Sequence, residues 1–85
     1  MADNDSRRKR ALYRANHRGT KEMDIVLGGF ADAEVVRLSE SDLTTFETLL
    51  ALPDPEIDRL FKGAEPPPDL AGLMGRIRQH HGLEG

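Results

Sequence analysis

Apolar residues in this chain recur at steps of three and four, and nowhere do they alternate with polar ones over the length of a strand. That spacing lines one face of a helix rather than one face of a pleated sheet. Only four aromatics are present, Tyr13, Phe30, Phe46 and Phe61, and a β-sandwich wants more aromatic and β-branched residues. The expected fold class is therefore all-α, a compact bundle of about five short helices. With 85 residues and no cysteine, there is room for one domain, and disulfides, thiolate metal sites and cysteine nucleophiles are excluded.

Local punctuation divides the chain into five segments. Asp5 or Ser6 can cap a first helix that runs to about Asn16, with Leu12 and Ala15 starting its stripe. A second is expected from about Thr20 to Val36, with Met23, Val26, Leu27, Phe30 and Ala33 inward. Gly28-Gly29 inside it weakens the helix, kinks it or admits a close neighbour. Ser39, with Asp42 three residues on, opens a third helix carrying Leu43, Phe46, Leu49 and Leu50. Asp54-Pro55 reads as an N-cap followed by proline at the first helical position, and Gly63 closes that short fourth helix behind Ile57, Leu60 and Phe61. After the stiff Pro66-Pro67-Pro68 connector, Asp69 leads a fifth helix with Leu70, Leu73, Met74 and Ile77 on one face. Residues 1–5 are expected to be disordered, 6–81 to form a single helical domain, and 82–85 to fray.

Most chemistry finds no residues to carry it. His17 lies far from His80 and His81, and an adjacent pair projects to different helix faces, so no metal site is expected. There is no G-x-S-x-G, no S-x-x-K and no G-x-G-x-x-G frame. Asp32 and Glu34, and likewise Asp54, Glu56 and Asp58, read as solvated faces and caps. No catalytic residue is expected. No apolar run reaches the ~20 residues of a membrane span, and the charged N-terminus lacks a secretory apolar segment. A bacterial cytoplasmic protein without membrane insertion is the expectation.

The charge is unevenly spread. Residues 1–22 carry seven basic against three acidic side chains, and residues 23–85 five against twelve. A basic end on an acidic body suits a two-signed contact with a protein. Arg7, Arg8, Lys9 and Arg10 are expected to act as an exposed block that steers association. A small basic-helix adaptor of nucleic-acid or toxin–antitoxin type is the alternative, but with only Tyr13 nearby for base stacking, nucleic acid is not the expected partner.

One cluster exceeds what folding alone asks for: His17-Arg18-Gly19-Thr20-Lys21-Glu22-Met23-Asp24. Gly19 between two helices can take a positive φ. As an N-cap it would place Glu22 at the third helical position, where the carboxylate reaches back to the Gly19 N–H. Nothing in that logic requires Arg18. Together Arg18, Lys21 and Glu22 suit forked recognition of a carboxylate, phosphate or carbonyl.

Arg18-Gly19-x-x-Glu22 resembles the RGxxE signature of the SdhE (YgfY) flavinylation factors, whose mitochondrial relatives are succinate dehydrogenase assembly factors. The surroundings strengthen the likeness: Arg8-Lys9-Arg10-Ala11-Leu12-Tyr13-Arg14 before it, then Leu27-Gly28-x-Phe30-Ala31, Leu43-x-x-Phe46-Glu47-x-Leu49-Leu50 and Pro53-Asp54-Pro55-Glu56-Ile57. The resemblance covers residues 7–63. It departs near Asn16, where members often carry an aromatic, and at Leu60, where they often carry Trp. It implies a five-helix bundle that binds the flavoprotein subunit of succinate dehydrogenase, often that of fumarate reductase too, and promotes attachment of FAD to a histidine of that subunit. Arg18, Gly19 and Glu22, with His17, Lys21 and Asp24 beside them, would be the partner-binding corner. FAD would belong to the partner, none would be held tightly here, and the free chain is expected to be monomeric.

Overall fold

The computed structural model describes residues 3–81, and five helices follow the expected order. These are α1 (Asp3–Ala15), α2 (Lys21–Glu34), α3 (Glu40–Leu50), α4 (Asp54–Phe61) and α5 (Pro68–His80), with a 3₁₀ turn at Val35–Arg37. The first helix starts earlier than its sequence cap suggests, so residues 3–5, expected to be disordered, are helical. Residues 1–2 and the tail 82–85 lie outside the described residues. Among the described residues no helix is long and apolar enough to cross a membrane.

The stripes meet in one core. Leu27, Phe30, Leu43, Phe46, Leu49, Leu50, Ile57 and Ile77 are its largest fully buried side chains, each worth about 1.5–3 kcal/mol of apolar burial. Phe30 of α2 and Phe46 of α3 meet at the centre, ring centroids 5.7 Å apart and tilted. The inner face of α2 runs Met23, Leu27, Phe30, Ala31 and on to Val35, the true 3.6-residue path. Ala33, expected inward, is therefore exposed, and Val36 stands 73% exposed. The Gly28 question also resolves. A Cβ there would overlap the side-chain oxygen of Asn16, so the glycine admits the end of α1 against α2.

Two helix ends match their local signals closely. Ser39 accepts the Asp42 N–H at 3.0 Å. At the end of α4, Gly63 takes φ 113°, with Ala64 N donating to Arg59 O and Gly63 N to Leu60 O, the paired pattern of a left-handed helix stop. Other ends are closed from a distance. Neither α2 nor α3 has a basic residue in its last turn. Instead Arg8 donates to Val35 O at 2.6 Å, and Arg18 to Leu50 O at 2.8 Å and Leu52 O at 3.1 Å. Arg78 does the same for Leu60 O and Phe61 O at the end of α4, both at 2.9 Å. Each guanidinium meets carbonyls at the negative end of another helix, tying elements that share no local sequence.

Candidate functional site

The bend between α1 and α2 is tied down at every residue. The Asn16 amide donates to Leu12 O at 3.0 Å. His17 Nδ1 donates to Tyr13 O at 2.7 Å and its ring stacks on Tyr13 at 3.9 Å. The Arg18 N–H goes to Asp24 Oδ1 at 2.5 Å. Thr20 caps α2 by accepting the Met23 N–H at 3.2 Å. That last contact corrects the Gly19 N-cap: a glycine has no side-chain acceptor, and the Thr20 hydroxyl one residue on supplies it. Glu22 thus sits at the second helical position and does not reach the Gly19 N–H.

The N–H of Gly19 is taken instead by Asp54 Oδ2, at 2.8 Å. The other oxygen of the same carboxylate accepts from Arg18 Nε at 3.0 Å and Nη2 at 2.7 Å. With the Leu50 and Leu52 carbonyls this fills the Arg18 fork, and the side chain is only 12% exposed. Arg18 and Asp24, expected to face a partner, are therefore turned to internal contacts. The reason is geometric: the bend abuts the α3–α4 corner, where carbonyls and one carboxylate need a planar, multiply donating cation. Gly19 does not take a positive φ; what demands a glycine is space, since a Cβ would stand 2.6 Å from Asp54 Oδ2.

Asp54 is the site residue that sequence reasoning missed. It was legible as a helix start, but Pro53 holds the N-cap position and Asp54 makes no cap bond. The Arg18 guanidinium, then the Gly19 N–H, hold its carboxyl below the usual carboxylate range. Its contribution to stability is accordingly complete above that range and is lost as pH falls through the depressed value. The one available signal was its place in the family-like stretch Pro53-Asp54-Pro55-Glu56-Ile57.

What remains outward is a small surface. Gly19, Thr20, Lys21 and Glu22 are exposed, and Glu22 with Thr20, Met23, Asp54, Pro55, Asp58 and Lys62 lines a groove between α2 and α4. Among the described residues Glu22 makes no side-chain hydrogen bond, while Lys62 beside it pairs with Asp58 at 3.0 Å. His17 is exposed.

The basic block divides. Arg7 grips Glu47 through Nε at 3.2 Å and Nη2 at 2.7 Å and also meets Thr44 Oγ1, which lowers the Glu47 pKa and raises its own. Arg8 closes the end of α2 as described. Only Lys9 and Arg10 are exposed, so the four-residue steering block is corrected to two, and the footing of a nucleic-acid adaptor narrows with it. At the far end His81 Nε2 donates to Val26 O at 2.7 Å, fastening α5 to α2 rather than standing solvated.

A family profile described as flavinator of succinate dehydrogenase matches residues 9–81. The chain belongs to this family. The match takes in the second half of α1 and all of α2 to α5, including α5, which the resemblance on motifs alone left out. Among its relatives, FAD assembly factor SdhE of Acetobacter pasteurianus is 44% identical over 64 residues, covering 75% of this chain and 59% of the relative. Succinate dehydrogenase assembly factor 2, mitochondrial, of Dictyostelium discoideum is 39% identical over 75 residues, covering 87% and 53%. FAD assembly factor SdhE of Legionella pneumophila is 38% identical over 75 residues, covering 87% and 95%. The chain thus spans little more than half the length of the first two relatives and nearly all of the third. No solved structure matches it.

Proposed function

We propose that this chain binds the flavoprotein subunit of succinate dehydrogenase, and that of fumarate reductase where present, and promotes covalent attachment of FAD to it. The observation that carries this reading is the family match over residues 9–81, with Glu22 exposed and, among the described residues, without a side-chain partner, on the same bend as a bare Gly19. The chain acts as a monomer in the bacterial cytoplasm and contributes no bond-forming atom. Histidine and flavin both belong to the partner, whose reacting groups must be held in near-attack geometry, where ~1 Å of misplacement can cost ~100-fold. A bound factor favours that arrangement by binding it more tightly than other arrangements.

The test is reconstitution. Purified, the chain is expected to be colourless and to retain no flavin after gel filtration with excess FAD. Mixed with apo flavoprotein subunit and FAD, it raises the yield of acid-stable flavin, all of it on the larger chain. Covalent or tightly held flavin on this chain, or failure to bind the subunit, would overturn the proposal.

Steering is assigned to Lys9 and Arg10. Replacing both with Gln is expected to slow association by about threefold at low salt and to flatten its salt dependence, with maximal flavinylation unchanged. Stopped-flow association at two ionic strengths measures this. Replacing Arg7 and Arg8 as well would confuse the result, because both hold the fold together.

A further inference from the structure

We infer that residue 19 is a glycine because Asp54 occupies the space a side chain would need, and that Asp54 is a positioning residue for the Gly19–Glu22 surface. The inference rests on the proposed function and names a residue outside the RGxxE motif. Three observations lead to it. First, φ at Gly19 is not in the left-handed region, so backbone conformation does not demand glycine. Second, among the described residues other than its chain neighbours, only Asp54 Oδ2 at 2.6 Å and Asp54 Cγ at 3.8 Å would stand within 4 Å of a Cβ at Gly19. Third, that carboxylate cannot step aside cheaply, because Arg18 holds it through two N–H groups while its own fork is pinned to Leu50 O and Leu52 O.

The consequence is positional. Asn16, His17, the Arg18 N–H and Thr20 are tied to groups within α1 and α2. Among the described residues Asp54 is what bonds two consecutive residues of the bend to α4, while Arg18 itself reaches the end of α3. It therefore sets where the first turn of α2, with Lys21 and Glu22, stands relative to Pro55 and Asp58 across the groove. Losing the carboxylate leaves that turn free to adopt other placements, and the partner must then order it on binding. This predicts a higher concentration for half-maximal flavinylation with the maximal yield retained.

A double-mutant cycle separates this from direct packing of the partner on the bare Cα. Gly19→Ala is expected to raise the half-saturating concentration by about tenfold, and Asp54→Ala by a similar factor. In the Asp54→Ala background Gly19→Ala should add less than about twofold, because the obstructing oxygen is gone. In Asp54→Asn, which keeps an atom at that place, Gly19→Ala should still cost several-fold. All variants are compared at a temperature where each shows the wild-type helical circular dichroism, so a purely structural role predicts no change in half-saturation. Equal effects of Gly19→Ala in the native and Asp54→Ala backgrounds would overturn the inference, as would an unchanged half-saturating concentration in Asp54→Ala.

Should Asp54→Ala not fold, NMR of the native chain and Asp54→Asn decides: the Gly19 amide proton is expected downfield in the former and shifted upfield in the latter, and no shift refutes the contact. If the native chain itself fails to raise covalent flavin, the proposed function falls. The NMR shift then still judges the Asp54 contact, as does the same double-mutant cycle read on melting temperatures, where Gly19→Ala should cost less in the Asp54→Ala background than in the native one, so the two failures are distinguishable.

Discussion

Arg18→Ala is expected to be the most destabilising single change at the bend, lowering the unfolding free energy by about 2–3 kcal/mol. The side chain is 12% exposed and its partner Asp54 26%, so solvent replaces its bonds poorly. Truncation strands three acceptors at once: the carboxylate and the carbonyls of Leu50 and Leu52. In a chain of this length each kcal/mol shifts the melting temperature by roughly 4–8 °C, so a drop of roughly 10–20 °C is expected by differential scanning calorimetry. Arg59 is the internal control. It too forms an ion pair, with Glu56, but at 65% and 51% exposure, where such pairs are worth under about 0.5 kcal/mol. Arg59→Ala should move the transition by no more than about 3 °C. Similar losses for the two variants would show that Arg18 is not the bond joining the α1–α2 bend to the α3–α4 corner.

This expectation inverts the first reading of Arg18, and the reason lies in how much of a tertiary contact a sequence can express. The stripes on α3 and α5 were legible, as were Ser39 as a cap and Gly63 as a stop, because each is a relation among residues within about one turn. Arg18 and Asp54 are separated by 36 positions. Periodicity says which face of a helix turns inward, but not which end of which neighbour that face will meet. The same blindness hides Arg8 at Val35, Arg78 at Leu60 and His81 at Val26. It also accounts for Asp54 passing as an N-cap, since an aspartate before Pro55 fits that role and nothing local says its oxygens are engaged elsewhere. Gly28 was read as a weakness, a kink or a close approach; only the position of Asn16 selects the last. The candidate corner was marked by its motif, yet the motif does not say which of its residues look outward. Burial divides them: Arg18 and Asp24 face in, Lys21 and Glu22 face out.

Glu22 is where that division has its sharpest consequence. It sits at the second position of α2, where a carboxylate complements the positive end of the helix dipole by roughly 0.3–1 kcal/mol, and it holds no cap bond, because Thr20 performs that task. Glu22→Gln keeps the size and removes the charge, so a melting shift of at most a few degrees is expected. Docking asks far more of the same atoms. A charge-assisted hydrogen bond to a partner cation is worth about 1.5–3 kcal/mol, and its loss should weaken association with the flavoprotein subunit by roughly ten- to hundredfold. Covalent flavin formed at limiting factor should fall in step. Asp24→Asn gives the contrasting pattern: Asp24 accepts the Arg18 N–H inside the bend, so its variant should lose stability first and activity only as the bend loosens. Isothermal titration of both variants against the apo subunit, read beside their melting curves, separates the two roles. If Glu22→Gln binds like the native chain, or loses binding only in proportion to stability, then Glu22 is a helix-end charge and the outward surface at Gly19 is not where the partner docks.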